Sequence, residues 1–182
     1  LIKTYSQSVK DDIYPYGDKD SSMDIILENA DRLDHKVKSF LYLNRLDYLQ
    51  GENQELETFD MKQLIDKIVT QMDLLKPQIQ LETDLEDVCF VGNEEHWRVA
   101  IENIIENASR YAQSIIHISL KDKYLEIYND GEHIDEDTLP FLFNPYVKGV
   151  KGQFGLGLSI VNKIVTMFGY TVEAKNQDIG VS

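Results

Sequence analysis

Between Trp97 and Ala112 apolar residues recur every three or four positions, at Trp97, Ala100, Ile101, Ile104, Ile105, Ala108 and Ala112. At about 100° per residue they gather on one arc of a helix, and Asn103, Asn107 and Arg110 fall on another arc more than a quarter turn away. The same spacing runs through Met23, Ile26, Leu27, Ala30, Leu33, Val37, Phe40, Leu41, Leu43 and Leu46, with Asp20 or Ser21 as the expected N-cap. So long a periodic stretch predicts one arm of a helical hairpin, or half of a bundle completed by a second copy. A helix packed only on its own domain is the competing reading. Ahead of it, Leu1 to Ile13 has helical character and stops at Tyr14-Pro15-Tyr16-Gly17, and Gly51 to Gln54 closes the long helix.

Downstream the period changes. Leu56 to Phe59 reads as a short strand, and Met61 to Lys76 as a helix with Leu64, Ile65, Ile68, Met72 and Leu75 inward, stopped by Pro77. Ile79 to Thr83 alternates apolar and polar residues, and Val88 to Val91 is an apolar run ending at Gly92, so two strands precede the helix of Trp97. Ile115 to Leu120 and Tyr124 to Tyr128 form a hairpin around Lys121-Asp122-Lys123 and lead into Asn129-Asp130-Gly131. A short helix over Asp135 to Phe143, a helix over Leu158 to Phe168 and a strand from Thr171 complete the pattern. Helices and strands interleave without regular βαβ alternation. The fold class is therefore α+β, a two-layer α/β sandwich (a mixed sheet with helices on one face) preceded by a helical hairpin. Two domains are expected, residues 1–50 for the partial hairpin and 54–182 for the sandwich.

The 182 residues are 42% hydrophobic and 27% charged, the profile of a soluble globular chain. No apolar run approaches the ~20 residues of a membrane span, and the N-terminus lacks a signal pattern. A net charge of −14 excludes general nucleic-acid binding, which depends on Lys and Arg neutralising phosphates, but leaves room for a local basic site for one nucleotide. The single cysteine, Cys89, excludes an internal disulfide and lies in the apolar run VCFV, so it reads as a core residue.

Two amides one turn apart and a cation one turn further on suit a hydrated Mg²⁺ and a polyphosphate. A plain solvated face accounts for the same three residues. The segment GVKGQFGLGLSIV weighs on that choice. Gly149, Gly152, Gly155 and Gly157, with Lys148 and Lys151, make a flexible cationic loop that feeds a helix N-terminus, where backbone N–H groups can approach phosphate. No Gly-Lys-Ser/Thr triplet or Rossmann spacing is present, so the loop is neither a P-loop nor a dinucleotide fingerprint.

Taken in order, NIIENASRY resembles the N box, NDGEHI the first glycine box, LPFLFNPYVKG the phenylalanine box and GQFGLGLSIV the second glycine box of the ATP-binding domain of sensor histidine kinases, a superfamily shared with DNA gyrase and MutL. ILENADRLDHKVKSFLYLNRLD resembles the second helix of that family's dimerisation and phosphotransfer hairpin. The resemblance implies ATP and Mg²⁺ as cofactors, with Asn107 on the metal and Asn103 the polar residue one turn earlier on the same face. It implies that Arg110, Lys148 and Lys151 meet the phosphates and that Tyr111 lines the nucleotide. Asn129, Gly131 and Ile134 of the first glycine box and Tyr146 of the phenylalanine box would border the nucleotide, with Gly155, Leu156, Gly157 and Leu158 bringing the lid to it.

Four departures from the family pattern stand out. Asn129 occupies the place of an Asp that accepts from the adenine amino group; an amide oxygen can accept the same bond without charge assistance. His133 replaces a glycine, and Gln153 and Phe154 replace small lid residues. No His followed by an acidic residue and a proline occurs, and His35, His96, His117 and His133 are poor substitutes, so the phosphoacceptor is expected outside this sequence. The implied function is a protein-histidine kinase fragment of a bacterial two-component system. It would pass the γ-phosphoryl group of ATP to that histidine and then to an aspartate of a response-regulator receiver domain. The resemblance also implies a homodimer through the hairpin and a cytoplasmic location, with the membrane reached only through missing N-terminal regions. Two alternatives stay open: a non-catalytic nucleotide-binding scaffold or switch of the same fold, and an ATPase of the gyrase or MutL sort. Against the latter, Asn103 stands where those relatives place a glutamate base.

Overall fold

The computed structural model describes residues 1–49, 56–75, 78–122, 124–147 and 155–182, with the backbone alone at 47–49 and 73–75. The expected boundary at Gly51 to Gln54, the stop at Pro77 and Lys123 of the hairpin turn lie outside the described residues. The chain divides into two compact units, Leu1–Asn44 and Arg45–Ser182.

The first unit holds α1 (Ile2–Lys10) and most of α2 (Lys19–Leu49). α1 stops short of Ile13 because the chain reverses at Asp12, whose φ is +58°, while Ile13 donates to the Ser8 carbonyl at 2.8 Å. Asp18 caps α2, in place of the expected Asp20 or Ser21. Its carboxylate accepts from the Ser21 backbone N–H at 2.7 Å and from the Ser21 hydroxyl at 3.1 Å. Those two bonds hold its pKa below the ordinary carboxylate value. The apolar stripe of α2 exists as the spacing predicts, but most of it is open: Met23, Leu27, Leu33, Val37, Phe40 and Leu41 are exposed, Ile26 and Leu43 are half-buried, and Leu46 near its end is fully buried.

The second unit has a true core. Asp60 ends β1 (Glu57–Asp60) and opens α3 (Met61–Leu75) by accepting from the Gln63 N–H at 3.1 Å. Leu64, Ile65 and Ile68 of α3 are buried, as their spacing requires; the Leu75 side chain lies outside the described residues. β1 pairs antiparallel with β3 (Cys89–Gly92), and a separate three-stranded mixed sheet runs β2 (Gln80–Leu85), β4 (Ile115–Lys121), β5 (Tyr124–Asn129). β2 is parallel to β4 and β4 antiparallel to β5, with Ile116 opposite Asn129 and Ile118 opposite Ile127. Ile116, Ile118 and Leu120 alternate into the core while His117 and Ser119 face the other way. α4 (Glu94–Tyr111) packs against β5, against α3 and against α5 (Gly157–Met167). A cluster of Phe90, Trp97, Phe168 and Tyr170 locks the N-terminal end of α4, with Phe90 and Tyr170 stacked at 5.0 Å and Phe90 edge-on to Trp97 at 5.3 Å.

Three expectations are corrected. Cys89 is exposed, because the register of β3 turns Phe90 and Gly92 inward and Cys89 and Val91 outward. The helix expected over Asp135 to Phe143 is only a 3₁₀ turn, Leu139–Phe141. Pro140 contributes no N–H, and Asp135 instead closes a turn by accepting from Thr138 and Asp137 N–H groups. From Thr171 onward no strand forms; Asn176 and Val181 make single bridges only, Val181 to both Asn129 and Asn176. Among the described residues no helix is long and apolar enough to cross a membrane.

Candidate functional site

α4 begins at Asn93, whose side chain accepts from the His96 N–H at 3.0 Å, with Glu94 and Glu95 in the first turn. Trp97, Ala100, Ile101, Ile105 and Ala108 are buried; Ile104 is half-buried and borders a cavity, and Ala112 falls just past the helix end. The opposite arc is not simply solvated, since Asn103, Asn107, Arg110 and Tyr111 are all half-buried.

Asn107 borders a cavity of about 460 Å³, together with Asn129, Ile134, Leu142, Phe143 and Leu158. Five segments of chain converge there. The cavity also continues past Ile104 to Phe90, Trp97 and Tyr170, away from the polar arc.

Asn103 plays a different part from Asn107. Its Nδ2 donates to the Val99 carbonyl at 2.7 Å, and its Oδ1 lies 2.6 Å from where a Cβ on Gly157 would stand. A side chain at Gly157 would push the Asn103 amide aside, so α5 starts in close contact with it. Leu156, the N-cap of α5, makes no side-chain cap bond, so the first N–H groups of that helix lack a side-chain partner there. Arg110 is ion-paired with Glu106, one turn back, at 3.0 Å, so an anion at this face would share the guanidinium with that carboxylate.

The two residues opening the first glycine box have opposite roles. Asn129 is 7% exposed, and its main chain exchanges both hydrogen bonds with Val181 at 2.9 Å. Its Nδ2 is buried without a partner, a state that costs about 1–3 kcal/mol unless something satisfies it. Asp130 is fully engaged: its carboxylate accepts from the N–H groups of Gln113, Ser114 and Ile115 and from the Ser114 hydroxyl at 2.5 Å. Burial alone would raise its pKa, but these donors, the Ser114 hydroxyl foremost, bring it down to about 2. Asp130 thus clamps the turn between α4 and β4, which leaves Asn129 as the group at the cavity. Gly131 is buried against the Tyr111 carbonyl.

Tyr146 is not brought to the cavity. It is 63% exposed, its φ is +70°, and its N–H donates to the Gly155 carbonyl at 2.7 Å. Leu156 is buried and Leu158 borders the cavity. Lys148 and Lys151 lie outside the described residues. Sequence reasoning missed Leu142 and Phe143 as individual wall residues, and missed Asn176 altogether. Asn176 holds Ile134 by two hydrogen bonds across a sequence separation that no local pattern reveals.

The donor set fits a nucleotide with a magnesium ion. Among the described residues no cluster of three or more His, Cys, Asp or Glu could hold a metal by itself. Asn107 would be the residue to hold a metal here, through its amide oxygen, a hard donor that suits Mg²⁺. The orphan amide of Asn129 and the apolar Ile134, Leu142 and Leu158 suit a flat heterocycle with polar edges.

Residues 92–181 match the family described as histidine kinase-, DNA gyrase B-, and HSP90-like ATPase, an ATP-binding class that agrees with this fold and this cavity. The sensor histidine kinase CssS of Bacillus subtilis (strain 168) is 36% identical over 187 residues, covering 100% of this chain and 42% of CssS. The Acinetobacter baumannii histidine kinase AdeS superimposes with a TM-score of 0.79 at 21% identity, over 99% of this chain and 89% of AdeS. The histidine kinase ThkA in complex with response regulator protein TrrA gives 0.76 at 21%, over 99% of this chain and 54% of ThkA. The chain belongs to the sensor histidine kinases, and what it carries is their catalytic ATP-binding domain. It spans about two fifths of the length of the curated relatives it matches.

Proposed function

We propose that this chain binds Mg²⁺ and ATP at the cavity bordered by Asn107 and Asn129. It then donates the γ-phosphoryl group to a histidine outside this sequence, from which an aspartate of a response-regulator receiver domain receives it. The observation that supports the reading most is the convergence of Asn107, the orphan Asn129 amide and the apolar Ile134, Leu142, Phe143 and Leu158 on one cavity. Asn129 would meet the base edge, and Ile134 and Leu158 its faces. The Asn107 amide oxygen would take a metal ligand position, while Arg110, Lys148, Lys151 and the uncapped start of α5 would offset phosphate charge. Asn107 would hold the Mg²⁺, which when bound would supply positive charge against the negative charge of the transferred group. Asn103 would set the distance between α4 and α5 without touching the nucleotide.

Residues 1–50 would supply part of the dimerisation and phosphotransfer hairpin, and 54–182 the catalytic domain. The open stripe of α2 would be covered by a second copy, and the relative ThkA, whose complex with TrrA is solved, supports a response regulator as the later partner. The placement would be the cytoplasmic part of a membrane-anchored sensor.

The test uses the chain extended at its N-terminus by a dimerisation helix that carries the acceptor histidine. Incubation with γ-labelled ATP and Mg²⁺ should yield an acid-labile, base-stable phosphoprotein whose label passes to a receiver domain. Nucleotide binding without a phosphoprotein would favour a scaffold, and steady ADP release without one would favour an ATPase.

A further inference from the structure

We propose that Asn176, outside every motif of the sequence, is a positioning residue for the nucleotide: its side chain fixes the Asn129–Ile134 loop at the cavity wall. Its Nδ2 donates to the Ile134 carbonyl at 2.8 Å and its Oδ1 accepts from the Ile134 N–H at 2.8 Å. One amide therefore satisfies both main-chain groups of one residue, and two parallel bonds resist the rotation that a single bond permits. The main chain of Asn176 bridges to Val181, and Val181 bridges in turn to Asn129. Both ends of the loop are thus tied to the same C-terminal turn, Asn129 through main chain and Ile134 through the Asn176 side chain.

The turn itself is built for that approach. Gly180 has φ +81°, and a Cβ there would collide with the Asn129 carbonyl oxygen, so a glycine is needed for Val181 to reach its partner. Between the two ties lie Asp130, held by the α4–β4 turn, and Gly131, buried against Tyr111. Asn129 and Ile134 both border the cavity, so releasing Ile134 moves one wall while the other stays fixed. Side-chain length and chemistry both matter: Asp keeps the acceptor for the Ile134 N–H but sets an oxygen against the Ile134 carbonyl, and Ala removes both bonds.

The inference rests on the reading that this part of the cavity receives the base of ATP, and the experiment separates the two. Calorimetric titration of Mg·ATP into the full chain is compared with Asn176→Ala and Asn176→Asp, and amide hydrogen exchange is followed residue by residue. Asn176→Ala should weaken ATP about tenfold, the scale of two lost hydrogen bonds, and Asn176→Asp by less. Exchange at Ile134 should accelerate while the amides of α4 and β4 keep wild-type rates. Wild-type ATP affinity in Asn176→Ala overturns the proposal, and so does acceleration throughout the unit, which is the mark of a merely structural residue. Should Asn176→Ala fail to fold, the wild-type chain still decides: an Ile134 amide that exchanges as fast as an unprotected loop overturns the clamp. Absence of ATP binding by the wild-type chain would overturn the proposed function itself, and the role of Asn176 with it.

Discussion

α2, with 31 residues, and α4, with 18, carry the same apolar spacing of three and four, yet one displays its stripe and the other hides it. In α4, Ile101 and Ile105 are sealed between the sheet and α5, while in α2 Leu27 is 58% exposed and Leu41 60%. Periodicity therefore encodes the helix and the face it must bury, but not what buries it. α4 is covered within its own unit by β5, α3 and α5, whereas along the described part of the α2 stripe only Leu46 is fully buried. Each fully buried Ile or Leu contributes about 1.5–3 kcal/mol, so the stability of the chain resides in the second unit.

Substitution can break that contrast. Ile105→Ala in α4 should cost about 3–4 kcal/mol in urea unfolding followed by Trp97 fluorescence, because the residue is fully buried and its surroundings relax only in part. Leu33→Ala in α2, at concentrations where the chain is monomeric, should cost less than about 0.5 kcal/mol. Equal costs would mean that α2 is as well covered as α4. Gly180→Ala ranks second, at about 2 kcal/mol, since the left-handed backbone and the collision with Asn129 add together.

Asp130→Ala should cost about 1–2 kcal/mol, reduced from the full value of charged hydrogen bonds because the site is only partly buried. Its pH signature has a defined sign. The folded pKa of about 2 lies below the unfolded value, so the stabilisation is complete above the unfolded pKa of roughly 4 and is lost as pH falls through about 2. Acid unfolding of the wild type between those limits, with a flatter profile in Asp130→Ala, is the expected result. The smallest effect is Leu33→Ala, and it sharpens the comparison further. If a second copy covers α2, the cost should grow with protein concentration in sedimentation equilibrium, while that of Ile105→Ala should not.

Much of this was legible in the residues. The core face of α4, the hairpin of β4 and β5 and the polar arc at Asn103, Asn107 and Arg110 follow from spacing alone, because each is a local pattern on a long element. Where the reading failed, the deciding physics lay outside the spacing of apolar residues. A one-residue choice of register in the four-residue β3 put Cys89 outside. Pro140 limited the segment after Asp135 to a single 3₁₀ turn. Tyr146 combines a positive φ with an exposed side chain, and Asn176 reaches Ile134 across 42 residues of sequence. Nothing within a few residues of either position announces those outcomes.

Calorimetric titration of Mg·ATP into the wild-type chain and into Asn107→Ala tests the central claim most directly. Saturable binding by the wild type and none by the variant, with both folded to the same extent, is the expected result. Undiminished affinity in Asn107→Ala would contradict the assignment of the α4 polar arc to metal and phosphate.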